Sequence, residues 1–354
     1  MSPRPTDAAG PVLTRRPRVL VLATGGTIAG RADARAASAY AAGKIDAAEL
    51  LGDVPGLDKL ATLSALQVAS IGSQDMNDQV WFELARRIQA AFAADLADGV
   101  VITHGTDTLE ETAFFLDQAL AGHRPVVLTG AMRPATAPDA DGPANLLAAV
   151  AVAAAPASAG RGVLVALGGQ IQAARWVQKI HATALQAFAS PNAGPLGHVD
   201  AAGVRFEQPL AQSLAQSTRG RDGPAYRLPA NAPLPRVDII HAHANMDAAP
   251  IDDAARRGAR GIVLAGVGNG NTSAPALAAL SRAARSGVLV VRASLIGAGR
   301  VSRNVEIADD AQGFVAALDL NAQKARILAQ LLIANGITQP EAAQAAFARA
   351  CCVE

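Results

Sequence analysis

The chain has 354 residues, of which 51% are hydrophobic and 17% charged, a balance that excludes a disordered polymer and leaves length for roughly two domains. With 31 basic against 30 acidic residues the net charge is +1, without the basic excess of a nucleic-acid binder. The longest apolar run, Leu146 to Ala155, stops at Pro156, short of the ~20 residues of a membrane-spanning helix.

Residues 1–17, rich in Pro, Ala and Arg, read as a mobile arm without the apolar core of a signal peptide. The expected compartment is therefore the cytoplasm, or the periplasm if the true start lies elsewhere. Arg18 to Thr24 reads as a buried strand running into Gly25-Gly26, followed at once by a hydroxyl, Thr27. The loop matches neither a dinucleotide fingerprint nor a phosphate loop. It reads either as a tight turn or as a loop presenting a threonine nucleophile. Tyr40, one of two tyrosines, falls in a small-residue stretch, where it is either packed or carried by a loop that closes over a site. Gly72-Ser73-Gln74-Asp75 precedes a helical spacing at Val80, Leu84 and Ile88, so its polar groups are either caps or ligand contacts.

Val100 to Thr103 is a second strand, followed by His104-Gly105-Thr106-Asp107-Thr108. Thr108 with Glu111 has the spacing of a capping box, which leaves Thr106 and Asp107 for other work; a lone histidine at a strand end reads as structural. Pro125 to Leu128 and Gly162 to Leu167 are further strands, with a helix opening at Asp141-Gly142-Pro143 between them. Only four of the 31 basic side chains are lysines: Lys44, Lys59, Lys179 and Lys324. Where arginine is the usual cation, a lysine suggests a need for a group that can be neutral.

The pattern fades over 198–235, which is expected to link two domains. Strands at Val237 to Ile240, Gly261 to Ala265 and Val288 to Val291 then alternate with helices at Ile251 to Arg257 and Ala274 to Arg285. Later helices open near Asn321 and Pro340, with Gly336 at a C-cap position. The expected fold is α/β, with two doubly wound parallel-sheet domains. The N-terminal domain (18–197) is the larger, and the C-terminal one (236–354) is smaller and Rossmann- or flavodoxin-like. Ligands in such sheets sit beyond the carboxyl ends of the strands, where the Thr27 and Thr106 loops fall. Cys351 and Cys352, adjacent at the end of the chain, read as tail residues.

Taken together, these loops resemble the bacterial L-asparaginase family, in particular its type II-like asparaginase and glutaminase-asparaginase members. The resemblance is carried by LATGGTIAG (Leu22–Gly30), IGSQDMND (Ile71–Asp78), VITHGTDTLEETAFFLD (Val101–Asp117), TGAMRP (Thr129–Pro134) and DGPANL (Asp141–Leu146). GPLG (Gly194–Gly197), AGVGNGN (Ala265–Asn271) and LNAQKAR (Leu320–Arg326) complete it. It implies hydrolysis of the side-chain amide of asparagine, and often of glutamine, with no metal or organic cofactor. Thr27 corresponds to the nucleophile, Tyr40 to a tyrosine on the mobile loop, Thr106 to the second catalytic threonine and Lys179 to the active-site lysine. Ser73 and Gln74 correspond to residues holding the substrate's α-carboxylate, and Asp107 to the acid holding its α-amino group.

Asn271 and Glu306 correspond to residues that reach a neighbouring subunit's site, in a homotetramer built as a dimer of dimers. The oxyanion donors are expected among the main-chain N–H groups of Gly26, Thr27, Gly105 and Thr106. The expected partner is a small amino acid, not nucleic acid or a membrane. Two departures stand out: Trp176, Gln178 and Ile180 around the lysine, and the run Ala293–Glu306, where the family usually carries an Arg and a Pro-Thr-Gly. An amidotransferase subunit and a non-catalytic amino-acid sensor are the competing readings. The first usually carries an added N-terminal domain, and the second would be expected to lose Thr27, Thr106 or Lys179.

Overall fold

The computed structural model describes residues 15–32, 40–41, 43–210 and 224–350, with 31–32 and 40–41 described by their main chain. Among the described residues, eight strands of the first part of the chain build one large sheet. Its strands are β1 (Arg18–Gly25), β4 (Thr62–Ile71), β5 (Gly99–Thr103), β6 (Val126–Thr129), β7 (Val163–Leu167), β8 (Gln170–Ala173), β11 (Gly197–Asp200) and β12 (Gly203–Phe206). Beside it lie two short ribbons, β2 (Arg31–Ala32) with β3 (Tyr40–Ala41), and β9 (Gln178–Lys179) with β10 (Phe188–Ala189).

The order across the sheet is β12-β11-β8-β7-β6-β5-β1-β4. The five strands from β4 to β7 are parallel, but β8, β11 and β12 each run antiparallel to their preceding neighbour. The parallel sheet expected from the sequence is present and continues into an antiparallel edge of three strands. The cause is local: Gly168 and Gly169, both at positive φ, form a two-residue hairpin that turns β8 back along β7. The expected link over 198–235 also opens with residues of β11 and β12, so its first part belongs to this sheet.

Successive residues of the parallel strands enter opposite layers, as the period of two requires. Leu22, Ile102, Leu128 and Val165 pack with α3 (Asp78–Ala93) and α4 (Leu109–Ala119), through Leu84, Ile88, Phe114 and Phe115. Val21, Val101, Val127 and Leu164 pack with α5 (Gly142–Ala154), α1 (Ala47–Gly52) and α2 (Leu57–Leu60).

The small sheet, β13 (Val237–His241), β14 (Gly261–Gly266), β15 (Leu289–Ser294) and β16 (Phe314–Ala316), is all parallel and in chain order. Ile262, Leu264 and Val290 face the helices Ala249–Arg256 and Ala274–Arg285, while Val263, Val291 and Val315 face Ala322–Ala334 and Pro340–Arg349. Helix Ala322–Ala334 also packs against α4, so one apolar cluster continues from the large sheet into the small one.

Among the described residues, only the large sheet reverses its strand order. From β1 the chain passes to β4 on one side and then crosses to β5 on the other, so the crevice between the carboxyl ends of β1 and β5 is the topological switch point. Among the described residues, no helix is long and apolar enough to cross a membrane.

Candidate active site

The two loops leaving the switch point touch through their main chains. Gly25 and Gly26 both have positive φ, and a β-carbon at Gly26 would overlap the main chain of Gly105. Thr24 Oγ1 donates to the carbonyl of Thr103 at 2.9 Å, tying the strand ends together. Thr27 therefore enters its single 3-10 turn (Thr27–Ala29) 7% exposed and directly beside the Gly105 loop. Of the four expected oxyanion donors, Gly26 is excluded: its N–H is committed to the carbonyl of Ile71 at 2.8 Å.

Ser73 lies on the other side of Gly105 and is buried. Its Oγ accepts from Asp107 N–H at 3.1 Å, so its own proton is directed elsewhere. Its carbonyl accepts from Thr108 Oγ1 at 2.7 Å. This corrects the capping-box reading: Thr108 occupies the N-cap position of α4, but its hydroxyl ties the α4 entrance to the Ser73 loop and does not cap the helix. Nor is the Gly72–Asp75 run the cap of α3, since Asn77 accepts from Val80 N–H there. Gln74 is exposed and folds against Gly72, where a β-carbon would strike its amide.

Lys179 comes from the β9–β10 ribbon, far along the chain. Its Nζ donates to Thr106 Oγ1 at 2.9 Å and to Asp107 Oδ1 at 2.6 Å. The lysine side chain is 17% exposed and that of Asp107 62%, so the amine is held inside while the carboxylate faces outward. Thr27, Ser73, Thr106, Asp107 and Lys179 are thus gathered by loops at one sheet edge. The main chain of Tyr40 pairs with Ala32, and its side chain lies outside the description, as do residues 1–14, Cys351 and Cys352.

His104 is structural, as expected. Trp81 Nε1 donates to Thr112 Oγ1 (2.8 Å), which donates to His104 Nε2 (2.9 Å), and His104 Nδ1 donates to the carbonyl of Gly105 (2.6 Å). This chain assigns the Nδ1–H tautomer and aims the Gly105 loop. Full burial pushes the imidazole pKa down to about 4. The unfolded chain binds a proton near pH 6.5, and the folded one only near pH 4. The group's contribution is therefore intact above pH 6.5, is lost as pH falls toward 4, and is level below that. Chemical denaturation at a series of pH values should show roughly 3 kcal/mol lost over this window in the native enzyme, and a flatter profile in His104→Asn.

The remaining two expected site residues are brought together in the second domain. Asn271 Nδ2 donates to Glu306 Oε2 across the loops that leave β14 and β15. These loops are set by a buried ion pair that sequence reasoning missed. Arg292, 1% exposed, forms a two-pronged bridge to Asp309, donates to the carbonyls of Asn269 and Gly270 at 3.1 Å, and reaches that of Ser302 at 3.2 Å. Among the described residues, no hydrogen bond or ion pair joins Asn271 or Glu306 to Thr106, Asp107 or Lys179 of the same chain.

The departures around the lysine are accommodated as packing. Trp176 is buried in the apolar cluster that includes Ile171 and Leu196, in the α5 layer, with the Arg175 guanidinium 4.6 Å from its ring centre. Gln178 is half-buried facing Gly297, and Ile180 is exposed. The divergent 293–306 run is pinned to the first domain by Asn192, which exchanges hydrogen bonds with both main-chain groups of Gly299. Among the described residues, no group of three or more His, Cys, Asp or Glu is placed to hold a metal ion.

Comparison with known proteins gives this arrangement a family. Residues 18–212 match the model described as Asparaginase, N-terminal, and residues 236–347 the Glutaminase/Asparaginase C-terminal domain. The chain is 45% identical over 317 residues to a probable periplasmic L-asparaginase of Haemophilus influenzae, covering 90% of this chain and 88% of that one. It is 43% identical to L-asparaginase 2 of Escherichia coli, covering 90% and 89%. A glutaminase-asparaginase of Pseudomonas fluorescens is 39% identical, with 90% and 87% covered. The crystal structure of a probable cytoplasmic L-asparaginase from Campylobacter jejuni superposes with a TM-score of 0.84 at 37% identity, covering 94% of this chain and 99% of that one. The compartment named thus differs among its relatives, whereas both domain models match in order along the sequence, and the chain belongs to the asparaginase family.

Proposed function

We propose that this chain cleaves the side-chain amide of L-asparagine to L-aspartate and ammonia, with L-glutamine as an alternative substrate of the same pocket. The observation that carries this reading is the Lys179 amine, held by Thr106 and Asp107 beside the Thr27 loop. Relatives named L-asparaginase and glutaminase-asparaginase support the substrate class.

In this reading Thr27 Oγ1 attacks the amide carbon and its proton leaves toward the Thr106–Lys179 pair or Tyr40. The tetrahedral oxyanion is met by main-chain N–H groups of Thr27, Gly105 and Thr106, and the base passes the proton it took from Thr27 to the amide nitrogen, which departs as ammonia to leave an ester on Thr27. Water then opens the ester. Asp107 receives the α-ammonium, while the Ser73 hydroxyl, its oxygen already accepting from Asp107 N–H, donates to the α-carboxylate together with the Gln74 amide. Asparagine and glutamine differ by one methylene, which a pocket separates by only ~1–3 kcal/mol. Ammonia release should therefore be measured with both. Binding without release would make the chain a sensor and overturn the assignment.

The domain that begins at residue 18 carries the nucleophile, and the one from 236 supplies Asn271 and Glu306 to the site of a second copy, within a tetramer of two such dimers. Mixing inactive Thr27→Ala and Glu306→Ala proteins under subunit exchange should restore activity, because about a quarter of the sites then combine two intact halves. No recovery after verified exchange would refute a shared site.

A further inference from the structure

We infer that the second domain positions the Lys179 amine from within the same chain. Asn321 and Lys324, at the start of helix Ala322–Ala334, hold the 175–179 segment directly and through Glu110. The inference rests on the reading above, in which Lys179 serves catalysis.

Two independent grips are visible. In the first, Asn321 Nδ2 donates to Glu110 Oε1 at 3.0 Å, and Glu110 Oε2 accepts from Lys179 N–H at 2.8 Å. One buried carboxylate thus joins the second domain to the main chain of the lysine whose amine faces Thr106. The orientation of the Asn321 amide is not free, because its Oδ1 caps its own helix by accepting from Lys324 N–H at 3.0 Å. In the second grip, Lys324 Nζ donates to the carbonyls of Arg175 (2.8 Å) and Val177, while Arg175 is ion-paired with Asp319. The alternate carbonyls on either side of Trp176 are therefore pinned, and Glu110 takes the N–H two residues further on.

An apolar clamp would hold these domains together without charge. Lys324 is 1% exposed, and burial pushes its pKa down to about 8 against the attraction of Glu110, Asp319 and Glu111 and with the repulsion of Arg175. Buried charges of this kind are a poor means of gaining stability, and their directional bonds fix position instead. Position matters here because a displacement of ~1 Å at a reacting group can cost 10²-fold in rate. Asn321, Lys324 and Glu110 are accordingly positioning residues.

The test is a donor–acceptor exchange on the full chain. Asn321→Asp keeps the helix-capping oxygen but turns a carboxylate toward Glu110. It should lower kcat by ~10–100-fold with KM within ~3-fold, since the α-carboxylate and α-ammonium contacts are untouched. Combining it with Glu110→Gln rebuilds the link in reverse: the new amide donates to position 321, and its oxygen still accepts from Lys179 N–H. The double variant should recover kcat to within ~3-fold of the native enzyme. Should Asn321→Asp fail to fold, Glu110→Gln alone sets two amide donors against each other; it should lose ~10-fold in kcat and be rescued by the same double variant. An unchanged kcat in the folded single variants overturns the inference, as does a melting temperature that falls and recovers while kcat per folded site stays constant. Lys179→Met, measured in parallel, separates the two levels. If it is active, the reading of Lys179 itself fails; if it is inactive while Asn321→Asp turns over normally, only the positioning role fails.

Discussion

Thr27→Ala should lower kcat by at least ~10³-fold, about 4 kcal/mol of transition-state stabilisation, and Thr106→Val should do the same. The losses have different origins. At position 27 the nucleophilic oxygen is removed, so no ester can form. At position 106 the side chain keeps its shape, but Lys179 Nζ loses the hydroxyl 2.9 Å away through which a proton would pass. Folding should survive in both cases. The 3-10 turn at Thr27 is closed by a main-chain bond, Gly30 N–H to the Thr27 carbonyl at 2.9 Å, and Asp107 still partners the lysine when Thr106 is changed. Steady-state kinetics on variants with native melting behaviour decide the matter. Near-normal turnover by Thr27→Ala would rule out the acyl-enzyme route, whereas a loss confined to KM would make Thr106 a binding group only.

Lys179→Arg should reduce kcat by at least ~10²-fold, the lower end of what a positioned acid or base contributes, while melting changes little. The guanidinium keeps the charge and can still reach Asp107, so an electrostatic role alone would be preserved. It cannot give up its proton at working pH, and its planar fork does not place one nitrogen where the ammonium sits between Thr106 and Asp107. Normal kcat in this variant would show that positive charge is all the site requires at that point. The unusual neighbours Trp176 and Ile180 then offer no substitute, since one is buried as packing and the other points to solvent.

The strands and the loops at their carboxyl ends were legible because the apolar period and the glycine breaks are local signals. Arg18–Gly25 and Gly99–Thr103 followed from short apolar runs, and Thr27 and Thr106 from standing immediately after them. The helix Ala274–Arg285 followed from its own pattern and from Gly287, which takes the positive φ just beyond its C-cap. What escaped was set by partners far away in the chain. Glu110 reads as an ordinary first-turn acid until Asn321 and Lys179 meet it from 211 and 69 residues off. Lys324 was conspicuous by type, as one of four lysines, but its carbonyl acceptors lie 149 and 147 residues upstream. The Thr108 hydroxyl and the Gly26 N–H were misread for the same reason: each satisfies a main-chain carbonyl, of Ser73 and Ile71, that only the tertiary fold brings near. The reversal of β8 was missed differently, since the Gly168-Gly169 turn that causes it is a local signal.

The contact between helix Ala322–Ala334 and the Lys179 segment also sets an order of events during synthesis. At 5–20 residues per second, roughly 7–30 s separate the emergence of Lys179 from that of Lys324. Through that interval the Arg175 and Val177 carbonyls lack the ammonium that finally receives them, and the face of α4 that this helix will cover stays open to the solvent or to a chaperone. On the positioning role inferred above, the nascent first domain carries both threonines and the lysine before the helix that orients the lysine has been made, and the segment that bears Lys179 is held in place only once that helix docks.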